Sequence, residues 1–146
     1  MSDTDVQEVM THLVVMLFPS ESVAAVAERL SRNAIGGAPV VEGGKVVGMV
    51  SASDIVRVAR RRKDHELSTE TVMDVMTRPV VTVAPATSVW EAADILDRRG
   101  IKRLPVVDPD GYLVGIISRG DIVRLVAKAE RPRRPMAASP MLPAGI

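Results

Sequence analysis

The chain contains one phrase twice, as Gly48-Met49-Val50-Ser51-Ala52-Ser53-Asp54-Ile55-Val56-Arg57 and as Gly115-Ile116-Ile117-Ser118-Arg119-Gly120-Asp121-Ile122-Val123-Arg124. Each copy predicts a buried strand that ends at a serine and continues directly into a helix with an aspartate in its first turn. The start of such a helix presents free backbone N–H groups and the positive end of the helix dipole, which together favour an anion. The two matched copies indicate that the rest of the chain is organised around them.

The duplication extends over most of the chain. At an offset of 66 residues, Pro39-Val40-Val41 aligns with Pro105-Val106-Val107. One additional residue in the second copy shifts the offset to 67, so that Asp54 aligns with Asp121. Because Pro, Gly, Ser and Asp stay in register together with the apolar residues, the pattern indicates an internal repeat.

Each copy predicts the same order of elements: strand, helix, strand, strand and helix. In the first copy, Ser22 is expected to cap a helix that ends at Asn33, a residue that tolerates the left-handed conformation. Gly100 is expected to end the corresponding helix in the second copy. The central strands are expected at Ala38–Val41 and Leu104–Val107, each followed by a tight turn and a second strand.

Composition limits the class of protein. With 146 residues, 47% hydrophobic and 25% charged, the chain can form one ordinary domain or two small fused repeats. The apolar run Leu13–Phe18 is far too short to span a membrane, and no signal peptide precedes it, so we expect no membrane contact. The absence of cysteine excludes disulfides and suits a reducing, cytoplasmic location.

Nucleic acid is not an expected partner. The formal net charge is only +1, and one Phe, one Trp and one Tyr leave few side chains for base stacking. The basic stretch Arg60–Lys63 suits the end of a helix, where cations are favoured. A nucleic-acid-linked regulator that uses this stretch and the arginines of the C-terminal tail stays an alternative.

We predict four segments along the chain. They are repeat 1 at residues 5–62, a linker at 63–71, repeat 2 at 72–128, and a flexible, basic, proline-rich tail at 129–146.

The repeats carry the signature of a known family. Paired units with this element order, an Ile-x-x-x-Pro-Val-Val strand and Gly-x-x-Ser-x-x-Asp before the last helix resemble cystathionine-β-synthase (CBS) domains. Two in tandem are similar to a CBS pair, or Bateman module, over about residues 5 to 128. The resemblance implies an α/β (α+β) fold of two β-α-β-β-α repeats, packed with pseudo-twofold symmetry around two related clefts.

The resemblance also implies a function. Members of the family commonly bind AMP, ADP, ATP or S-adenosylmethionine as regulatory ligands, require no other cofactor, and form homodimers shaped as flat discs. We therefore expect a regulatory sensor that has a protein partner, not yet identified, and is not an enzyme. The alternative is a structural dimerisation or docking module with empty clefts.

In this family, residues of both repeats line each cleft. The family's motifs can be transferred to this sequence residue by residue. The Asp of Ser-x-x-Asp would hold ribose hydroxyls, the serine and helix start would face ribose or phosphate, and the other repeat would grip the adenine. The first cleft would then contain Ser51, Asp54, Thr77, Val81, Ile101, Lys102 and Arg103. The second cleft would contain Thr11, Val15, Ile35, Gly36, Gly37, Ser118, Arg119 and Asp121.

The two clefts differ in charge. Lys102 and Arg103 offer phosphate-binding cations to the first cleft, whereas the second has Gly36-Gly37 at those positions and only Arg119 nearby. We expect the first cleft to bind the more highly charged ligand, or to bind alone. Both Ser-x-x-Asp phrases are also ordinary helix-capping boxes, and Lys102 and Arg103 could be solvated, so the structural alternatives stay open.

Local motifs for catalysis are missing from the sequence. His12 and His65 have no second metal-ligating residue at a convincing helical spacing, and there is no nucleophile elbow, phosphate loop or cysteine nucleophile. We therefore expect no catalytic residues and no metal.

Overall fold

The computed structural model describes residues 4–12, 14–61 and 69–129. Within them the elements are α1 (Val6–Val9), α2 (Val23–Arg32), β1 (Gly37–Glu42), β2 (Lys45–Ser51), α3 (Ala52–Arg61), α4 (Val72–Val75), α5 (Val89–Arg99), β3 (Arg103–Val107), β4 (Leu113–Ser118) and α6 (Arg119–Ala129). The predicted α/β fold of two equivalent repeats is confirmed. Most of the predicted linker and tail, at residues 62–68 and 130–146, lies outside the described residues, as does His65.

Each repeat is built on an antiparallel hairpin, β1–β2 in the first and β3–β4 in the second. The predicted opening strand is reduced to a single parallel bridge, at Leu17 in repeat 1 and at Val83 in repeat 2. Leu17 donates its N–H to the Pro39 carbonyl at 2.9 Å and accepts from the Val41 N–H at 2.8 Å. The ladder stops there because the next residue in register, Pro19, has no N–H to donate.

The short opening helices are exchanged between the repeats. Val6 of α1 is fully buried in the core of repeat 2, whereas Val72 of α4 is fully buried in the core of repeat 1. The chain after each helix then pairs with the other repeat's hairpin. Thr11 exchanges two backbone hydrogen bonds with Ile116, of 2.8 and 3.0 Å, and Thr77 exchanges two with Met49, also of 2.8 and 3.0 Å. Neither core is complete without residues from the other repeat.

The two hairpin turns also meet each other. Lys45 and Tyr112 form an isolated antiparallel bridge, and the Lys45 ammonium lies 5.4 Å from the centre of the Tyr112 ring. The Leu113 N–H donates to the Gly44 carbonyl at 3.0 Å. This contact joins the repeats at the opposite ends of the hairpins from Ser51 and Ser118.

The two long central helices begin and end by different means. Ser22 caps α2 by accepting from the Ala25 N–H at 3.1 Å, as predicted. The end of α2 corrects the prediction, because Asn33 has φ −92° and Ala34 takes the positive φ, at 54°. Asn33 instead donates its side-chain N–H to the Arg29 carbonyl at 2.7 Å. At the end of α5, Gly100 has φ 64°, as its position predicts.

Candidate functional site

A cavity of about 300 Å³ lies between the repeats beside the start of α3. It contains every residue predicted for the first cleft, namely Ser51, Asp54, Thr77, Val81, Ile101, Lys102 and Arg103. The structure therefore brings together side chains that are up to 52 positions apart in the sequence. We call this space the first cavity.

Three local features place these side chains. The strand β2 ends at Ser51 and α3 begins at the next residue, so the serine and Asp54 stand at the start of the helix. The backbone bonds with Met49 hold Thr77 beside that start. The left-handed turn at Gly100 directs Ile101 and the following residues into the opposite wall.

Asp54 is only 5% exposed, and both of its carboxylate oxygens accept hydrogen bonds. Its Oδ2 accepts from the Ser51 N–H at 2.9 Å and from the Ser51 hydroxyl at 3.1 Å, which is the capping arrangement. Its Oδ1 accepts from the Arg57 guanidinium and from the Thr77 hydroxyl at 3.3 Å. Since Thr77 lines the cavity, Oδ1 is the oxygen that a ligand hydroxyl could reach by replacing this long bond.

Sequence reasoning missed several residues of the site. Arg57 pairs with Asp54 across one helical turn, and the spacing Asp-x-x-Arg that produces the pair is present in both copies of the phrase. Further residues complete the lining of the first cavity without having been predicted there: Gly36, Met49, Ala52, Ser53, Pro79, Val80 and Gly100.

A second cavity of about 270 Å³ occupies the related position. It contains most of the residues predicted for the second cleft, namely Thr11, Val15, Ile35, Gly36, Gly37 and Ser118. Asp121 and Arg119 are not part of its lining. We call this space the second cavity.

Asp121 repeats the geometry of Asp54 in part. It accepts from the Ser118 N–H at 2.8 Å and from the Ser118 hydroxyl at 3.1 Å, and it pairs with Arg124. The capping role expected for both aspartates is therefore present in both repeats. Within the residues that the structure describes, the Asp121 carboxylate accepts no hydrogen bond from the opposite repeat that would correspond to the bond between Thr77 and Asp54.

The arginine side chains are placed differently in the two cavities from what the sequence predicted. Arg119 donates its Nε–H to the Ile101 carbonyl at 3.0 Å and so lies outside the lining of the second cavity. Arg103 lies there in its place, with Nη1 3.4 Å from the Gly36 carbonyl. Burial lowers the pKa of the Arg103 guanidinium, because loss of water disfavours its charged form. The second cavity thus has a cation that the sequence assigned only to the first.

Other kinds of site are not found in the part of the chain that the structure describes. Among the described residues, no group of three or more His, Cys, Asp or Glu side chains is placed to hold a metal ion. No helix in those ranges is long and apolar enough to cross a membrane.

Comparison with known proteins identifies the family. The family model of the CBS domain matches residues 6–61 and 72–128. The chain belongs to the CBS domain family.

Its curated relatives include proteins longer than the chain itself. Protein MJ0188 of Methanocaldococcus jannaschii is 36% identical over 129 residues, which cover 88% of this chain and 46% of that protein. The inosine-5'-monophosphate dehydrogenase of Korarchaeum cryptofilum is 32% identical over 109 residues, 75% of this chain and 21% of the enzyme. The chain thus spans less than half the length of either relative.

Solved structures of CBS pairs have the same fold. CBSX2 of Arabidopsis thaliana in complex with AMP is 32% identical, has a TM-score of 0.78, and is matched over 87% of this chain and 98% of its own. The CBS pair of protein MJ0100, in complex with 5'-methylthioadenosine and S-adenosyl-L-methionine, is 27% identical with a TM-score of 0.77. It is matched over 87% of this chain and 98% of its own.

Proposed function

We propose that this protein is a regulatory sensor that binds an adenine nucleotide in the first cavity. The observation that carries the proposal is the convergence of a helix start, a buried aspartate and two cations around one cavity between the repeats. The complexes of CBSX2 with AMP and of MJ0100 with adenosine derivatives support the same class of ligand. They favour a sensor over a docking module with empty clefts.

The first cavity offers a different surface to each part of a nucleotide. Val81 and Ile101 provide apolar contact for the adenine ring, and the backbone of the same segments offers polar groups to its edge. Asp54 Oδ1 would accept from a ribose hydroxyl in place of Thr77. Lys102, Arg103 and the start of α3 would face the phosphate.

A ligand regulates only if it favours one arrangement of the protein over another. The first cavity contains residues of both repeats, so a bound nucleotide would stabilise one relative position of the repeats. A protein partner that distinguishes these positions would then respond to the nucleotide. In this proposal the chain has no catalytic activity of its own.

The test is calorimetric titration of AMP, ATP and S-adenosylmethionine into the wild type, Asp54→Asn and Asp121→Asn. The two variants are matched, because each aspartate is equally buried and makes the same two bonds to its serine. Both should therefore lose a similar amount of stability. Only Asp54→Asn should weaken the tighter binding event, by about tenfold, since a bond to a charged acceptor contributes roughly 1.5–3 kcal/mol.

Each result decides between the alternatives. Saturable binding that is weakened by Asp54→Asn alone supports the proposal and ranks the three ligands. Equal weakening by both variants would assign the effect to helix capping. Absence of binding by all three ligands would overturn the adenine-nucleotide function.

We further propose that the chain acts as a homodimer in the cytoplasm. Val56 of α3 and Val123 of α6 are each 65% exposed at equivalent positions of the two repeats, so the closing helices present matched apolar side chains. Burial of such a surface against a second copy would remove it from water. Light scattering of the purified protein measures the mass in solution, and a monomer at all concentrations would contradict the proposal.

A further inference from the structure

Arg103 stands at the boundary between the two cavities. It belongs to the first strand of the hairpin in repeat 2, where it pairs with Ser118, and its side chain crosses to repeat 1. Both Arg103 and Gly36 line the first cavity and the second cavity alike. The two spaces therefore meet at this contact.

The internal duplication explains why the arginine fits. At the offset of 66 residues, Gly36 and Gly37 are the counterparts of Lys102 and Arg103. A Cβ atom on Gly36 would lie 2.9 Å from Nη2 of Arg103, and one on Gly37 would lie 2.5 Å from Nη1. Equivalent positions of the two repeats face each other here, and a side chain at Gly37 is excluded both by the arginine and by the Val50 carbonyl oxygen, from which a Cβ would lie 2.9 Å.

The guanidinium has capacity for further bonds. It carries five N–H donors, and the bond that it makes, to the Gly36 carbonyl, is long at 3.4 Å. No carboxylate in residues 4–12, 14–61 or 69–129 forms an ion pair with it. The guanidinium is only partly buried but has no counter-charge among the described residues, so an anion in either cavity would be attracted to it.

We propose that Arg103 is one cation shared by two anion sites, so that a phosphate bound in one cavity lowers the affinity of the other cavity for a second phosphate. This inference rests on the proposed function, because it requires ligands that carry phosphate. When the guanidinium turns to a phosphate in the first cavity, it leaves Gly36 and Gly37, and the second cavity loses its cation. By thermodynamic linkage the effect is reciprocal, and an uncharged ligand such as adenosine is not subject to it.

Isoleucine methyl NMR distinguishes the two cavities. Ile101 lines the first cavity, whereas Ile35 and Ile116 line the second. Titration of AMP into the wild type, followed at these methyl groups, gives a separate affinity for each cavity. Adenosine is the uncharged control.

The decisive variant is Asp54→Asn, which impairs the first cavity and leaves Arg103 free for the second. We expect it to raise the AMP affinity measured at Ile35 and Ile116 by about tenfold, within the usual range of coupling between sites. Its adenosine affinity at the same methyl groups should not change. Addition of Arg103→Met to Asp54→Asn should cancel the gain.

A second double variant keeps Arg103 but moves its guanidinium away from the boundary between the two cavities. A Cβ atom on Gly36 would contact only the far end of the Arg103 side chain, so Gly36→Ala displaces the guanidinium without a backbone clash. Asp54→Asn with Gly36→Ala should therefore also lack the gain in AMP affinity.

The outcomes separate the inference from the proposed function. An Ile101 response to AMP in the wild type, with no gain at Ile35 and Ile116 in Asp54→Asn, would overturn the shared cation and leave the nucleotide site in place. A gain that survives Arg103→Met would also overturn it. Absence of an Ile101 response to both AMP and ATP would overturn this inference, and absence of a response to S-adenosylmethionine as well would overturn the proposed function.

Discussion

Gly48 lies at the junction of the repeats, where there is no room for even one additional carbon atom. A Cβ at this buried position would lie 2.8 Å from Cγ and 3.2 Å from Cβ of Met76; a new methionine rotamer moves the Cγ but not the Cβ, so it relieves the contact only in part. We expect Gly48→Ala to lower the free energy of unfolding by about 1–3 kcal/mol, the usual cost of overpacking a core. Urea denaturation measures the change.

The matched control for this substitution is Gly120→Ala. Gly120 lies in the first turn of α6, and a Cβ there would meet nothing closer than 3.6 Å. Alanine is favoured over glycine in a helix by up to about 1 kcal/mol, so Gly120→Ala should be neutral or stabilising. A similar loss of stability in both variants would show that crowding at Met76 is not the cause.

At the residue scale, the sequence predicted which side chains meet in the first cavity and offered the capping bond between Ser51 and Asp54, but not the bonds of Asp54 to Arg57 and Thr77. Ser51 and Asp54 follow from the phrase itself, because a strand that ends at a helix start leaves little freedom for their positions. The interaction of Arg57 with Asp54 was visible as a spacing but was not predicted. The direction of the Arg103 side chain depends on packing against Gly36 and Gly37, which are distant in sequence.

At the scale of the elements, Ala34 and Gly100 occupy equivalent positions at the ends of α2 and α5. Both take a positive φ, of 54° and 64°, but only one of them is glycine. A left-handed conformation costs an alanine roughly 1–2 kcal/mol, whereas a glycine adopts it freely and loses some chain entropy on folding.

The reciprocal substitutions should therefore have opposite effects. We expect Gly100→Ala to destabilise the protein by about 1 kcal/mol and Ala34→Gly to stabilise it by up to about 1 kcal/mol. Thermal unfolding of the two variants beside the wild type measures both changes. Two changes of the same sign would contradict the prediction.

The exchange of the opening helices could not be predicted from the sequence. Val6 and Val72 are apolar residues at equivalent positions of the two repeats, but the sequence does not say in which core each of them is buried. Both cores are apolar and similar in composition, so local pattern gives no preference between them. The path of the chain and long-range packing determine which core each opening helix enters.

At the scale of the whole molecule, the exchanged helices predict that the repeats unfold together. Leu17 is fully buried in the core of repeat 1, and Trp90, the single tryptophan, lies on α5 of repeat 2. Leu17→Ala should cost about 2–5 kcal/mol, as such substitutions do in well-packed cores. The same loss in the free energy of unfolding should be measured from the fluorescence of Trp90 and from the circular dichroism of the whole chain.

A repeat-specific response would contradict this prediction. If the two repeats unfolded independently, Leu17→Ala would shift the circular dichroism transition and leave the midpoint of Trp90 fluorescence unchanged. Coincident transitions in both variant and wild type are the mark of one cooperative unit.

The reciprocal helix exchange also bears on how such a chain could arise by duplication. A lone ancestral unit with this architecture would lack the helix that closes its core, and a second identical molecule could supply it by swapping. Such an assembly would fall apart on dilution, since its folding would depend on protein concentration. Two copies joined in one chain would have a permanent partner, and its local concentration would not depend on the expression level. Joined halves, unlike two identical molecules, can also differ in sequence, as they do here where Arg103 of one repeat stands at the position of Gly37 in the other.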